Sequence, residues 1–80
     1  MTTIDARGLK CPLPVLKLER VLETAAPGDA IVVLATDPVA RIDIALYCRQ
    51  QGHALEISEQ GGGVSRFDII RDGAKAVAQP

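Results

Sequence analysis

The sequence predicts an α/β two-layer sandwich, a mixed four-stranded sheet with two helices packed on one face, in the order β-α-β-α-β-β. Three observations predict it. A short, continuous, β-branched run, Ala30-Ile31-Val32-Val33-Leu34-Ala35, has the character of a central strand. Segments with helical spacing of apolar residues lie on either side of it. Two strand-like runs joined by Gly61-Gly62-Gly63 then close the chain as a hairpin with a bulge or loose loop. Strands alternating with helices and ending in a hairpin bury their apolar faces as two layers. Eighty residues are enough for one core and too few for two, so a single domain over 1–80 is expected. Its core spans about residues 2–72, and the patternless end, 73–80, reads as a frayed tail.

Thr2 to Ala6 is the first strand, ended by Gly8, and Arg7-Gly8-Leu9-Lys10 makes a tight connection. Pro12 to about Ala25 forms the first helix, with Val15, Leu18, Leu22 and Ala25 on one face and Val21 beside them. Pro27-Gly28-Asp29 turns the chain into the central strand. Asp37-Pro38 reads as a helix start: the aspartate caps free amides and the proline fits the first helical position. This second helix runs to about Gln51, where Gly52 stops it. Ala54–Gln60 and Val64–Arg71 are the hairpin strands.

Composition excludes several functions. Phe67 and Tyr47 are the sole aromatic residues, so the core rests on Val, Ile, Leu and Ala and little ring surface is left to stack bases. Nine Lys and Arg against ten Asp and Glu give a net charge of -1, without the basic footprint of a nucleic-acid binder. No apolar run approaches the roughly 18 residues of a membrane span, and Met1-Thr2-Thr3-Ile4-Asp5 is no signal peptide. A cytoplasmic chain is expected, with no direct nucleic-acid or membrane partner. Cys11 and Cys48 are too few and too far apart for a disulfide framework or a Cys-x-x-Cys pair. With one histidine, His53, the ligands of a closed zinc site are missing, so neither metal nor cofactor is expected.

The chemistry therefore falls to Cys11. Pro12 suits the first helical turn, and Pro14 is tolerated for the same reason. Together they fix the start of the helix and make Cys11 the expected N-cap. Cysteine caps poorly beside Ser, Thr, Asp or Asn, so something other than helix stability selects it. A helix N-terminus favours an anion and lowers a thiol pKa, and Lys10 and Arg7 add positive charge. Two prolines remove two amide donors, leaving Leu13 N–H, so a modestly activated thiolate is expected. The competing reading is a small buried hydrophobe, since Cys11 projects near the apolar face. Spacing alone leaves the two even; the poor cap and the prolines favour function.

The run Asp5-Ala6-Arg7-Gly8-Leu9-Lys10-Cys11-Pro12-Leu13-Pro14 resembles the signature of the TusA-like (SirA-like) sulfur-carrier family, whose hallmark is Cys-Pro-x-Pro. The resemblance continues through Pro27-Gly28, Asp37-Pro38, Asp43-Ile44, Gly52-His53 and Arg66-Phe67-Asp68-Ile69-Ile70, covering residue 4 to about 72. It implies a sulfurtransferase-type carrier that takes sulfane sulfur from a cysteine desulfurase or rhodanese as a persulfide. The sulfur then passes to a downstream cysteine-bearing acceptor, stoichiometrically, in a relay. The pathways implied are tRNA 2-thiolation, molybdenum cofactor biosynthesis and sulfur oxidation. The family cysteine carries over to Cys11, with Gly8, Lys10, Pro12 and Pro14 as its motif neighbours. The fold implied is that of the C-terminal domain of translation initiation factor three. Leu13 fills the variable motif position, where partner choice can differ, and Phe67 stands where some relatives have Tyr.

Other residues have plainer readings. Cys48, four positions beyond Ile44 and far from a helix start, is expected to pack. His53 reads as a surface residue past a helix end, and Asp37 as a cap. Asp5 and Asp43 are candidates for ordering the Cys11 loop, at distances the sequence does not show. Leu13 and Leu16 fall opposite the core stripe, among Lys17 and Arg20. Exposed leucines are common, but beside a reactive cysteine these four read as a docking patch for a partner, on a monomer. A non-catalytic adaptor using the same helix face is the alternative; a thiol-redox protein is weakened by the lack of a nearby resolving cysteine.

Overall fold

A computed structural model describes residues 2–71. Strands β1 (Thr2–Ala6), β2 (Ala30–Ala35), β3 (Ala54–Gly61) and β4 (Val64–Ile70) form one sheet in the order β1-β2-β4-β3. Helices α1 (Leu13–Thr24) and α2 (Ala40–Gln51) complete the β-α-β-α-β-β order. β1 pairs parallel with β2, whereas β4 pairs antiparallel with both β2 and β3, so the sheet is mixed. The tail expected at 73–80 lies outside the described residues.

Alternation along the strands sorts the two faces. Ile4 and Ala6, Ile31 and Val33, and Phe67 and Ile69 point to the helices and are buried. Leu18 and Leu22 of α1 and Ala40, Ile44 and Cys48 of α2, spaced by four, close over them. Phe67 sits fully buried at the centre. The helix-free face carries Thr3 and Asp5, Arg66 and Asp68, and Glu56, with Val32 buried among its strands. β2 is therefore buried on its helix side, while on the helix-free face Val32 is buried and Leu34 half-buried, close to what its unbroken apolar run required.

Both helices start later than their sequence signals suggest. Pro12 occupies the cap of α1, and the helix proper opens at Leu13 with Pro14 in its first turn. Asp37-Pro38-Val39 forms a turn ahead of α2: Asp37 Oδ1 accepts Val39 N–H at 3.0 Å, and its carbonyl accepts Ala40 N–H. The helix ends agree better. Gly52, at φ 80°, closes α2 in the left-handed region, and His53 N–H returns to the Cys48 carbonyl. At the other helix end, Arg71 Nε donates to the Leu22 carbonyl at 3.1 Å, filling one of the acceptors that α1 leaves open. The hairpin turns through Gly62 and Gly63, with a register shift between Glu59 and Gly61, the bulge that three glycines allowed.

Candidate functional site

β1 and β2 run parallel and stop level, with Ala6 opposite Ala35. The loops leaving them therefore start side by side at the carboxyl end of the sheet, where open α/β sheets gather their functional groups. Two hydrogen bonds join those loops. Gly8 N–H donates to Thr36 Oγ1 at 2.9 Å, and Cys11 N–H donates to Asp37 Oδ2 at 2.6 Å. Gly8 holds φ 81°, with open space where a Cβ would stand, so the position is set by backbone conformation and not by crowding.

This junction places Cys11 against α2. The Cys11 thiol donates to Asp43 Oδ2, on the first turn of that helix. Cys11 is exposed, whereas Cys48, the second free thiol, is buried. Cys11 precedes the cap of α1 by one residue, so it is not the N-cap its sequence suggested. The Cys11–Pro12 peptide bond is cis. Leu13 N–H, the expected donor to a thiolate, is given to the Lys10 carbonyl at 2.9 Å.

The electrostatics correct a second expectation. Asp43 beside it, then its own loss of solvent and the more distant Asp37, push the Cys11 thiol up from its ordinary value. Arg7 supplies no compensating charge, because it forms a two-point ion pair with Asp5, Nε–Oδ1 2.8 Å and Nη2–Oδ2 2.9 Å. That pair holds the Asp5 carboxyl down at about 2. Lys10 exerts its pull on Asp37, whose carboxylate the Cys11 and Val39 amides hold below its usual range. Burial pushes the Cys48 thiol up to about 11, consistent with a packing role. The free protein thus presents an exposed thiol, not an activated thiolate.

The remaining motif residues divide. Pro12 is exposed while Pro14 is fully buried and belongs to the core, a role read in the sequence only as backbone chemistry. Leu13 and Leu16 are 47% and 45% exposed, and Lys17 and Arg20 are exposed beside them. Lys17 and Arg20 line a shallow groove over β1 with Thr3 and Asp5. A second apolar surface has no counterpart among the sequence expectations: Ile42 and Leu46 stand exposed on α2, four apart like the core stripe Ala40, Ile44 and Cys48, with Val39 exposed at the helix cap. His53 is half-buried and its ring lies 6.2 Å from that of Tyr47. Among the described residues no group of three His, Cys, Asp or Glu is placed to hold a metal ion. No described helix is long and apolar enough to cross a membrane.

Residues 2–71 match the family described as "Sulfurtransferase TusA". The chain belongs to that family. A chain of Neisseria meningitidis serogroup A, named as a candidate sulfur carrier protein, is 49% identical over 61 residues, covering 75% of this chain and 82% of the relative. The sulfur carrier protein TusA of Allochromatium vinosum is 38% identical over 66 residues, covering 82% of this chain and 87% of the relative. Among solved structures, the SirA-like protein of Desulfitobacterium hafniense superposes with a TM-score of 0.82 at 30% identity. The match covers 90% of this chain and 99% of that one. The TusA-family fold and the two-layer sandwich expected from the sequence coincide.

Proposed function

We propose that this TusA-family chain is a sulfur carrier that holds sulfane sulfur as a persulfide on Cys11 and relays it between proteins. The observation that carries the reading is the contrast between the two thiols: Cys11 is exposed on a loop at the carboxyl end of the parallel strands, and Cys48 is buried. The donor is a cysteine desulfurase or rhodanese bearing a persulfide, and the acceptor is a protein with a reactive cysteine. Leu13, Leu16, Lys17 and Arg20 form the docking face, because the surface around the sulfur must enter every productive interface. Apolar anchors rimmed by cations suit a transient contact with an acidic partner.

Loading with polysulfide, or with a desulfurase and cysteine, followed by intact and peptide mass analysis tests the assignment. A gain of one sulfur atom is expected on the Cys11 peptide and absent in Cys11→Ser. Equal loading of Cys48, or loading that survives the substitution, overturns it.

A further inference from the structure

A thiolate at Cys11 would stand among carboxylates. Asp43 of α2 accepts the hydrogen bond of the Cys11 thiol, and Asp37, from the loop before α2, accepts that of the Cys11 backbone N–H. Among the described residues, nearby cations act on other carboxylates: Arg7 pairs with Asp5, Arg41 pairs with Glu59 at 2.9 Å, and the charge of Lys10 bears on Asp37. The helix start offers little more, since Pro12 and Pro14 have no N–H and that of Leu13 serves Lys10. Among the described residues, Cys11 thus has a built acceptor for the hydrogen bond of its thiol and no built partner for the charge left when the proton goes.

Resting on the carrier reading, we infer that Asp43 guards the empty carrier: it holds the Cys11 proton until a sulfur donor brings a basic side chain against it. With Asp43 paired to that cation, the proton leaves and the sulfur can attack. The transfer needs no external oxidant or reductant. Cys11–SH and donor–S–SH become Cys11–S–SH and donor–SH. The donor S–S bond breaks as one forms at Cys11 Sγ, the bonding pair leaves with the donor sulfur, and the proton lost by Cys11 balances the one that sulfur takes up. The donor surface that fits is cationic at the point facing Asp43, whatever its charge elsewhere. The empty thiol is meanwhile slow toward small electrophiles, because it is the thiolate that attacks them.

Asp43 is only partly buried, so substitution there is compatible with folding, which circular dichroism checks. The full-length chain is treated with two methanethiosulfonate reagents, one carrying an ammonium and one a sulfonate, and modification of the Cys11 peptide is followed by mass. The wild type is expected to react about tenfold faster with the cationic reagent. Asp43→Asn should narrow that ratio by at least about threefold, and Asp43→Glu should keep it. With neutral iodoacetamide, Asp43→Asn should raise the neutral-pH rate about three- to tenfold, its pH midpoint falling. An unchanged ratio or an unchanged midpoint in Asp43→Asn overturns the guard. Polysulfide loading of the wild type is read separately. Failure to load Cys11 there defeats the carrier reading, while the reagent results still decide the role of Asp43.

Discussion

Asp37 Oδ2 accepts the backbone N–H of Cys11 at 2.6 Å, so a carboxylate at the entrance to α2 fixes the loop that enters α1. Its other oxygen accepts Val39 N–H, and one side chain thereby ties two loops 26 residues apart.

Removing that tie should loosen the thiol loop and α2 together. Asp37→Ala is expected to lower the urea midpoint, and Asp37→Asn, which keeps an acceptor oxygen, to lower it less. The amides hold the folded-state pKa of Asp37 below 3.8, so its stabilisation is full above that value and is lost as pH falls through the folded one. Urea midpoints measured from about pH 6 down to about pH 2 should therefore fall more steeply in the wild type than in Asp37→Asn. Parallel curves would mean that the bond contributes nothing.

Cys48 gives the opposite sign at the alkaline end. Burial raises its thiol from 9.0 to about 11, so the folded state prefers it protonated. That contribution is complete below 9.0 and is lost as pH rises toward about 11. Cys48→Ala should cost about 1 kcal/mol at neutral pH through lost packing and flatten the stability curve across this window. An alkaline decline equally steep in the variant would assign it to other groups.

Cys11→Ser should leave the melting temperature unchanged while abolishing sulfur loading. A gain from better capping is not expected, because residue 11 precedes the cap, and serine can still donate to Asp43. A large drop in melting temperature would show that Cys11 packs.

At the docking face, Leu16→Glu should weaken transfer to or from partner proteins without slowing a small thiol reagent. Lys17→Glu with Arg20→Glu should slow transfer most at low salt, where a charge acts beyond about 10 Å. Protein-to-protein transfer that is unchanged in all these variants would move the face elsewhere, for instance to the exposed Val39, Ile42 and Leu46.

Much of this architecture was legible in the residues. The β-branched run from Ala30 named the central strand, the glycines at 61 to 63 named the hairpin, and the two prolines located the start of α1 within a residue. What stayed hidden was long-range. Asp43 was a candidate for ordering the Cys11 loop, but it lies 32 residues from Cys11 and the contact itself could not be read locally. The usable signal was topological: adjacent parallel strands ending level bring the first turns of both following helices together, so an acidic residue in the first turn of α2 was a candidate neighbour. The late start of α2 misled for a different reason, since Asp37 does accept a nearby amide, that of Val39, but in a turn ahead of the helix, with its second oxygen on the Cys11 loop. Ile42 and Leu46 were opaque because hydrophobicity alone does not say which of two apolar stripes faces the sheet.

The two prolines of Cys-Pro-Leu-Pro answer to different demands, because Pro12 is exposed and Pro14 is sealed in the core. A library varied at both positions and selected for soluble protein alone would filter position 14 far more strictly than position 12. Selected instead for sulfur delivery, it would constrain both. Tolerance maps gathered under the two selections would diverge at residue 12, the point in the motif where the demands of folding end and those of delivery begin.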